Sequence, residues 1–193
     1  TFAGATAGLE PDSRPTVVVD IGGGSTELVG PGPGGLVSHS MQLGCVRVTE
    51  RALGSSAVTP ERLAAADAMI DAEIERAFEE VPALADFRGR SRLVGVAGTV
   101  ATLAHLDMGL ADYHREAVHH LVLPRETVGF WRIRLQRLEP ADRLNFVGMT
   151  SGREDVLVAG LRVLERVMSV LGADEITHSE SDILEGAIGW LQR

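Results

Sequence analysis

The chain has 193 residues, 45% hydrophobic and only 4% aromatic, so it is long enough for one domain with an aliphatic core. Its net charge of −9 argues against nucleic-acid partners, because proteins that bind the nucleic-acid backbone usually carry the opposite balance. No apolar run approaches the roughly 18 residues of a membrane span, and the single cysteine excludes an internal disulfide and favours a cytoplasmic location.

Three strands are predicted to open the domain. Residues 1–15 show no clean period and are expected to form a tail, and the start without Met suggests a fragment of a longer protein. β-Branched and apolar runs then predict strands at Thr16–Ile21, Ser25–Val29 and Leu36–Leu43, separated by glycine-rich turns. Short connections between consecutive strands indicate an antiparallel meander.

After the third strand the apolar pattern becomes mainly helical. Thr59 before Pro60 is typical of a helix start, and the helix is predicted to run to about Val81. Its predicted inner face consists of Leu63, Ile70, Ile74, Ala77 and Phe78. The other predicted elements are a helix at Gly44–Leu53, a strand at Leu93–Val96, a helix at Gly98–Leu106, a strand at His119–Leu123, a helix at Pro124–Leu138 with outward arginines, a helix opened by a capping box at Ser151–Glu154 and ending at Leu171, a strand at Glu175–His178 and a helix at Ser181–Leu191. This order predicts a mixed α/β domain.

The turn after the first strand carries the clearest chemical signal. Asp20 lies next to the end of a buried strand, and after Ile21 three glycines lead to Ser25, where the second strand begins. Glycine lets the backbone approach an anion closely and permits the positive φ that turns successive N–H groups inward. The candidate phosphate ligands of this turn are Gly22, Gly23, Gly24 and Ser25.

Asp20 and Glu27 flank the turn and are candidate catalytic and metal-binding residues. Carboxylate oxygens are the ligands that suit Mg²⁺, and they can also orient a water. The turn is not a Walker loop, because no Gly-Lys-Ser/Thr follows and because it joins two strands. An ordinary hairpin is the alternative, but hairpins need only one or two glycines and rarely place an acid in an apolar strand.

A second glycine turn ends the predicted strand at Leu93–Val96. Gly98 and Thr99 begin a predicted helix there, and the exposed N–H groups of a helix start favour anions. Two such turns in one mixed α/β domain resemble the second half of the fold shared by actin, sugar kinases and the Hsp70 ATPase.

Five motifs narrow this resemblance. They are VVVDIGGGSTELV, LGCVRVTERAL, VGVAGTVATLA, GREDVLVAGLRVLE and ILEGAIGWL, in this order between Thr16 and Leu191. The sequence resembles the Ppx/GppA phosphatase family, the exopolyphosphatases and guanosine pentaphosphate phosphohydrolases. The resemblance implies an actin-like, ribonuclease H-like lobe, with a mixed sheet of three antiparallel strands followed by αβ units and helices on both faces. It also implies that the first motif is the phosphate-binding loop, which gives Asp20, Gly22, Ser25 and Glu27 their roles.

The family's other actin-like lobe precedes this one and supplies a catalytic glutamate. The resemblance therefore implies that residues 1–15 are a tail from that lobe and that residues 16–193 form the second lobe of a short, two-lobe member. The general base would lie outside this chain, and the isolated lobe is expected to be inactive. Its exposed cleft wall would favour a homodimer. One departure is the segment Asp182–Gly186, which lacks the arginine that the family has there.

Arg47 and Arg153 are candidate phosphate ligands, because each lies in a family-like motif and guanidinium suits bidentate phosphate contact. For Arg153 the alternative is a solvated ion pair with Glu154 or Asp155. For Arg47 the alternative is a role in positioning the loop. The six histidines show no metal pattern, and the adjacent His119 and His120 are predicted to point to opposite sides of a strand.

The predicted function is hydrolysis of a terminal phosphoanhydride of inorganic polyphosphate or guanosine pentaphosphate, with Mg²⁺ as cofactor. One alternative is the ATP-binding lobe of a kinase or ATPase of the same superfold. A second is a module that binds an alarmone or polyphosphate without cleaving it. Resemblance of fold alone does not separate the three.

Overall fold

The computed structural model describes residues 1–181, so the predicted helix at Ser181–Leu191 and the Asp182–Gly186 segment lie essentially outside the described residues. The strands are β1 (Thr16–Ile21), β2 (Thr26–Gly32), β3 (Gly35–Met41), β4 (Arg92–Val96), β5 (Val122–Pro124) and β6 (Glu175–His178). The helices are α1 (Phe2–Ala5), α2 (Cys45–Val48, continued by a π-turn at Thr49–Leu53), α3 (Pro60–Glu80, followed by a 3₁₀ segment at Pro82–Phe87), α4 (Ala97–Met108), α5 (Arg115–Val118), α6 (Arg125–Gln136), α7 (Pro140–Arg143) and α8 (Leu157–Leu171).

The six strands form one mixed sheet in the order β3-β2-β1-β4-β6-β5. β1 pairs in parallel with β4, and β4 pairs in parallel with β6. β2 and β3 extend the sheet as an antiparallel meander, and β5 pairs antiparallel with β6. The predicted α/β fold and meander are confirmed, and the carboxyl ends of the three parallel strands lie along one edge.

The two faces of the sheet bury different clusters. On one face, the buried side chains of β1 that alternate with Val18 pack into the main core with α2, α3, α4, α6 and α8. On the other face, Val18 packs with Val94, Val96 and Ala5. The helical turn α1 therefore covers part of the second face, where the sequence predicted only an irregular tail.

Helix α3 begins and packs as its sequence predicts. The Thr59 hydroxyl accepts a hydrogen bond from the Arg62 N–H at 3.3 Å, and Pro60 occupies the first turn. Its inner face buries Ile70, Ile74 and Ala77. None of the described helices combines the length and apolarity needed to cross a membrane.

Helix α8 begins later than its sequence predicts. It starts at Leu157, and no side chain caps its first turn. Instead of closing a capping box with Ser151, the Glu154 carboxylate accepts a hydrogen bond from the Gly152 N–H at 2.6 Å. The predicted capping box is therefore wrong, and Arg153 lies in a turn before the helix.

Arg132 contradicts the prediction that the arginines of α6 point outward. Its side chain is buried, and its Nε lies 2.6 Å from a carboxylate oxygen of Glu165 on α8. Ion pairs of Arg162 with Asp67 and of Arg166 with Asp71 join α8 to α3. The charged side chains of α8 thus form ion pairs with the neighbouring helices α3 and α6.

The sequence predicts that His119 and His120 lie in a strand. In the structure they precede β5 and do not belong to it. His120 has a φ of 65°, in the left-handed region that non-glycine residues rarely adopt. This conformation places the two rings on the same side, where they stack with centroids 3.8 Å apart. The prediction that they point to opposite sides is therefore wrong.

Candidate functional site

The first glycine turn, residues 22–25, joins β1 to β2 at the carboxyl edge of the parallel strands. The Gly22 N–H donates to the Ser25 carbonyl at 3.0 Å and closes the turn. The Gly22 carbonyl accepts from the Cys45 N–H at 2.9 Å, and the Gly23 carbonyl accepts from the Val46 N–H at 3.0 Å. The start of α2 therefore binds the carbonyl side of the turn.

The N–H side of the turn remains available. Within residues 1–181, the N–H groups of Gly23 and Gly24 have no protein acceptor, and Gly24 is exposed. Backbone N–H groups at an open turn are the donors that bind phosphate oxygens. This arrangement fits the predicted anion site.

The reason for glycine at this turn differs from the prediction. None of Gly22, Gly23 and Gly24 has a positive φ, so the expected left-handed conformation is wrong. The closest approach is made by Gly44, where a Cβ would collide with the Gly23 carbonyl and the Gly24 nitrogen. Gly44 therefore allows the turn to pack directly on α2, a role that the sequence did not indicate.

Asp20 and Glu27 lie directly opposite each other on β1 and β2. Opposite residues of an antiparallel pair point to the same face, with Cβ atoms about 5 Å apart. Glu27 in turn lies opposite Ser40 on β3, whose hydroxyl donates to a Glu27 carboxylate oxygen at 2.6 Å. Like charges placed opposite each other destabilise a sheet, so the pair favours a chemical role.

The two carboxylates fit a magnesium ion better than a metal with many protein ligands. Mg²⁺ is usually bound through one or two carboxylates, with waters and substrate phosphates completing its octahedron. In the described part of the chain, no group of three or more His, Cys, Asp or Glu side chains could hold a metal. Asp20 and Glu27 could therefore hold Mg²⁺ only together with water or phosphate.

The second turn lies beside the first, because Val96 at the end of β4 pairs with Asp20 on β1. Ala97 follows with a φ of 69°, a left-handed conformation that is costly for a non-glycine residue. Thr99 is buried, and its hydroxyl packs against Gly160 of α8. Of the predicted pair, Gly98 faces the site, whereas Thr99 could offer only its backbone.

Arg153 lies beside the second turn. Its guanidinium lies directly over Gly98, in the space that a Cβ would occupy. Within residues 1–181 its side chain forms no hydrogen bond and no ion pair, so the alternative of a pair with Glu154 or Asp155 is not observed. A guanidinium beside the second glycine turn, with no hydrogen-bonding or ionic partner in the described part of the chain, is suited to bind an anion.

Arg153 also lies close to the core side of the first turn. Burial raises the pKa of the Cys45 thiol, and the positive charge of Arg153 and a hydrogen bond with Thr99 partly oppose this shift. Cys45 is buried, and its backbone N–H donates to the Gly22 carbonyl of the first turn. Its thiol is a packed structural group.

Arg47 positions the first turn. Its Nε donates to the Gly24 carbonyl at 2.7 Å, and its Nη2 donates to the Gln42 side-chain oxygen at 3.2 Å. These bonds correspond to the loop-positioning alternative. A cavity of about 410 Å³ beside Arg47 opens onto Gly23 and Gly24.

Sequence reasoning missed Arg143, which is almost completely buried at 2% exposure. Its guanidinium donates to the backbone carbonyls of Leu135 at 3.0 Å, Leu138 at 2.9 Å and Glu154 at 2.6 Å. The bond to the Glu154 carbonyl fixes the backbone of the residue that follows Arg153. An isolated arginine in a polar segment gives no sequence signal for such a role.

A sequence model of the Ppx/GppA phosphatase family matches residues 1–191. The chain belongs to this family. The match covers both glycine turns, the Asp20–Glu27 pair and Arg153, so the motifs that suggested the resemblance lie within one Ppx/GppA domain.

Curated Ppx/GppA relatives carry two kinds of name. "Exopolyphosphatase 2" of Mycobacterium tuberculosis is 35% identical over 190 residues, which cover 96% of this chain and 58% of that protein. "Guanosine-5'-triphosphate,3'-diphosphate pyrophosphatase" of Aeromonas salmonicida is 30% identical over 173 residues, covering 89% of this chain and 33% of that protein. The chain thus spans less than two thirds of these relatives.

Solved structures confirm the actin-like fold of the Ppx/GppA family. A crystal structure of an exopolyphosphatase-like protein matches with a TM-score of 0.86 and 32% identity, covering 97% of this chain and 62% of that chain. The Ppx/GppA phosphatase of Aquifex aeolicus matches with a TM-score of 0.83 and 24% identity, covering 97% of this chain and 60% of that chain.

Proposed function

We propose that the protein containing this chain hydrolyses a terminal phosphoanhydride of inorganic polyphosphate or guanosine pentaphosphate, and that this chain supplies the phosphate-binding half of the site. The names of the exopolyphosphatase and pyrophosphatase relatives support this reaction class. The observation that carries the proposal is Arg153, whose guanidinium lies over Gly98 without a hydrogen-bonding or ionic partner in residues 1–181. It is a cation placed beside the second glycine turn, which follows the strand next to the one that leads into the first turn.

The proposed roles follow from what each group offers. The N–H groups of Gly23 and Gly24 and the Ser25 hydroxyl would hold phosphate oxygens, and Arg153 would neutralise part of their charge. Asp20 and Glu27 would hold Mg²⁺, which supplies charge neutralisation when bound. Phosphoryl transfer needs mainly positioning and electrostatic stabilisation, and this set of groups provides both.

The general base is proposed to come from outside this chain. In the described residues the acids nearest the turns, Asp20 and Glu27, are already assigned to the metal. The kinase and non-catalytic alternatives are not favoured, because the similar proteins are named as phosphatases or pyrophosphatases.

The test replaces Arg153 by Lys and by Met in the protein that contains this chain, and phosphate release is measured with tripolyphosphate and guanosine pentaphosphate. Arg153→Met should lower kcat/KM about a hundredfold, because a charge-assisted phosphate contact is lost. Arg153→Lys should recover part of this loss, because it keeps the charge without the bidentate geometry.

Arg90→Met is the matched control. Arg90 precedes β4, at the opposite edge of the sheet from the glycine turns, and its side chain is 64% exposed. If Arg153→Met and Arg90→Met give kcat/KM values within threefold of each other, the proposed phosphate role of Arg153 is wrong.

A further inference from the structure

Gln42 connects the first glycine turn to helix α3. Its side-chain oxygen accepts from Arg47, whose Nε in turn donates to the Gly24 carbonyl. The backbone N–H of Gln42 donates to a carboxylate oxygen of Glu73 on α3 at 2.6 Å. One residue therefore contacts both the arginine that supports the turn and a helix that contributes no other group to the site.

Gln42 lies at a sharp bend between β3 and α2. The Leu43 N–H donates to the Met41 carbonyl at 2.8 Å, which closes a three-residue turn centred on Gln42. The Glu73 carboxylate supplies the acceptor for the N–H at the centre of this bend. It therefore fixes the backbone from which the Gln42 side chain extends towards Arg47.

The Glu73 carboxylate is itself held in place. Its side chain is only 14% exposed, and the oxygen that accepts from Gln42 also accepts from Arg76 Nη2 at 2.6 Å. Arg76 lies one turn further along the same helix, and α3 buries Ile70 and Ile74 against the core. Hydrogen bonds to a carboxylate belong to the stronger, charge-assisted class. The anchor of Gln42 is thus a fixed group on a packed helix.

The bond from Arg47 determines where one backbone donor of the turn points. The peptide between Gly24 and Ser25 is planar and trans, so the Ser25 N–H points opposite to the Gly24 carbonyl. Backbone N–H groups of α2 hold the Gly22 and Gly23 carbonyls, whereas the Arg47 side chain holds the Gly24 carbonyl. The direction of the last peptide of the turn therefore depends on Arg47 and on the groups that orient Arg47.

We propose that Glu73 is a positioning residue for the first glycine turn and acts through Gln42 and Arg47. The inference rests on the proposed function, in which this turn binds phosphate oxygens. Glu73 orders the Gln42 backbone, the Gln42 side chain orients the guanidinium, and the guanidinium fixes the last peptide of the turn. Because Glu73 touches no substrate in this scheme, its loss misaligns the turn without removing a ligand.

The first experiment measures phosphate release from tripolyphosphate by the protein that contains this chain, with thermal melts to correct for the folded fraction. Glu73→Ala should lower kcat/KM about tenfold, because a small displacement of positioned groups is enough to slow a reaction. Glu73→Gln should stay within about threefold of the unmodified protein, because its amide oxygen still accepts from the Gln42 N–H. Glu75→Ala, at an exposed position of the same helix, is the matched control and should leave kcat/KM unchanged.

A double-mutant cycle tests whether Glu73 acts through Gln42. Gln42→Met removes the acceptor for Arg47 but keeps the backbone N–H and the length of the side chain. In this background Glu73→Ala should lower kcat/KM by less than about twofold, because residues of one hydrogen-bonded chain do not contribute additively. A purely structural role of Glu73 would instead give the same loss in both backgrounds.

The Arg47 Nε–H group provides a readout that needs no turnover. Its signal in the ¹H–¹⁵N spectrum of the same protein, assigned by its absence in Arg47→Lys, should exchange faster with water in Glu73→Ala but not in Glu75→Ala. If no phosphate is released by any variant, the proposed hydrolysis fails, and this measurement still decides whether Glu73 orders Arg47.

Four results would overturn the inference. They are equal kcat/KM values for Glu73→Ala and Glu75→Ala, a Glu73→Gln variant as impaired as Glu73→Ala, additive losses in the cycle, and an Arg47 signal that Glu73→Ala leaves unchanged.

Discussion

The carboxylates of Asp20 and Glu27 occupy directly opposite positions on two antiparallel strands, each separated from the first glycine turn by one residue. Such a pair carries a cost, because two like charges face each other across the sheet. A bound cation would remove that cost. The first prediction tests whether the pair serves chemistry or folding.

Glu27→Gln and Asp20→Asn should each lower turnover about 10²–10³-fold in the protein that contains this chain, because a metal-orienting carboxylate is lost. The free energy of unfolding should fall by less than about 0.5 kcal/mol or rise, because the repulsion is relieved. Phosphate release and thermal melts measure the two effects. Glu75→Gln, at an exposed position of α3, is the control. A large loss of stability with near-normal turnover would make the acids structural.

The 193-residue chain alone should fold but release no phosphate from polyphosphate or guanosine pentaphosphate. A chain of this length can bury about 70% of its unfolded surface, so it does not need another lobe for a core. It spans less than two thirds of its curated relatives, and the proposed base lies outside it. Circular dichroism and a phosphate-release assay with Mg²⁺ measure both halves of the prediction. Turnover within tenfold of the longer protein would show that the whole catalytic machinery lies in this chain.

Gly44→Ala should destabilise the protein by about 1–3 kcal/mol, because its Cβ would overlap the Gly23 carbonyl and force the turn away from α2. Turnover of the folded fraction should also fall, because the turn is displaced. Gly129→Ala is the matched control: its Cβ would meet only the Glu165 side chain at 3.5 Å, and alanine favours the helix by about 0.5–1 kcal/mol. Urea unfolding of both variants tests this, and equal stability of the two would contradict it.

Stability should fall as the pH is lowered from 7.5 to 5.5. Burial lowers the pKa of His119 and of His120. Because the folded imidazoles have the lower pKa, the unfolded chain binds more protons below its ordinary imidazole pKa of about 6.5, and folding is disfavoured there. Melting temperatures across this range should vary less in a His119→Gln/His120→Gln variant. Hydrogen bonding from His178 lowers the pKa of Glu180. The contribution of Glu180 to the free energy of unfolding is therefore lost only at a more acidic pH than this range. An unchanged pH slope in the double variant would assign the effect to other groups.

Features encoded by local sequence were predictable. The cap at Thr59, the apolar period of α3 and the acid before the glycine turn depend on neighbours within a few residues, and each appears in the structure as expected. The sequence also identified Arg153 as a candidate anion ligand, but it did not indicate that the side chain forms no hydrogen bond or ion pair within residues 1–181.

Features that depend on distant contacts were not predictable. Gly44 is required by the carbonyl of a turn about twenty residues away, and Arg143 binds carbonyls on both sides of its own helix. The start of α8 was misplaced because the Glu154 carboxylate can accept from either of two nearby backbone N–H donors, and the observed bond from the Gly152 N–H leaves Ser151 outside the helix. Neither the apolar periodicity of a helix nor a short sequence motif contains information about these contacts.

The bonds between the first glycine turn and α2 have a thermodynamic consequence. Four sets of hydrogen bonds fix the turn before any anion binds. The Gly22 and Gly23 carbonyls accept from α2, the Gly24 carbonyl accepts from Arg47, and the Thr26 hydroxyl donates to the Leu43 carbonyl. A preformed site loses little conformational entropy on binding, so the unfavourable entropy comes from the ligand and from ordered water. Anion affinity should then depend on salt and on competing phosphate more than on any closure of this turn.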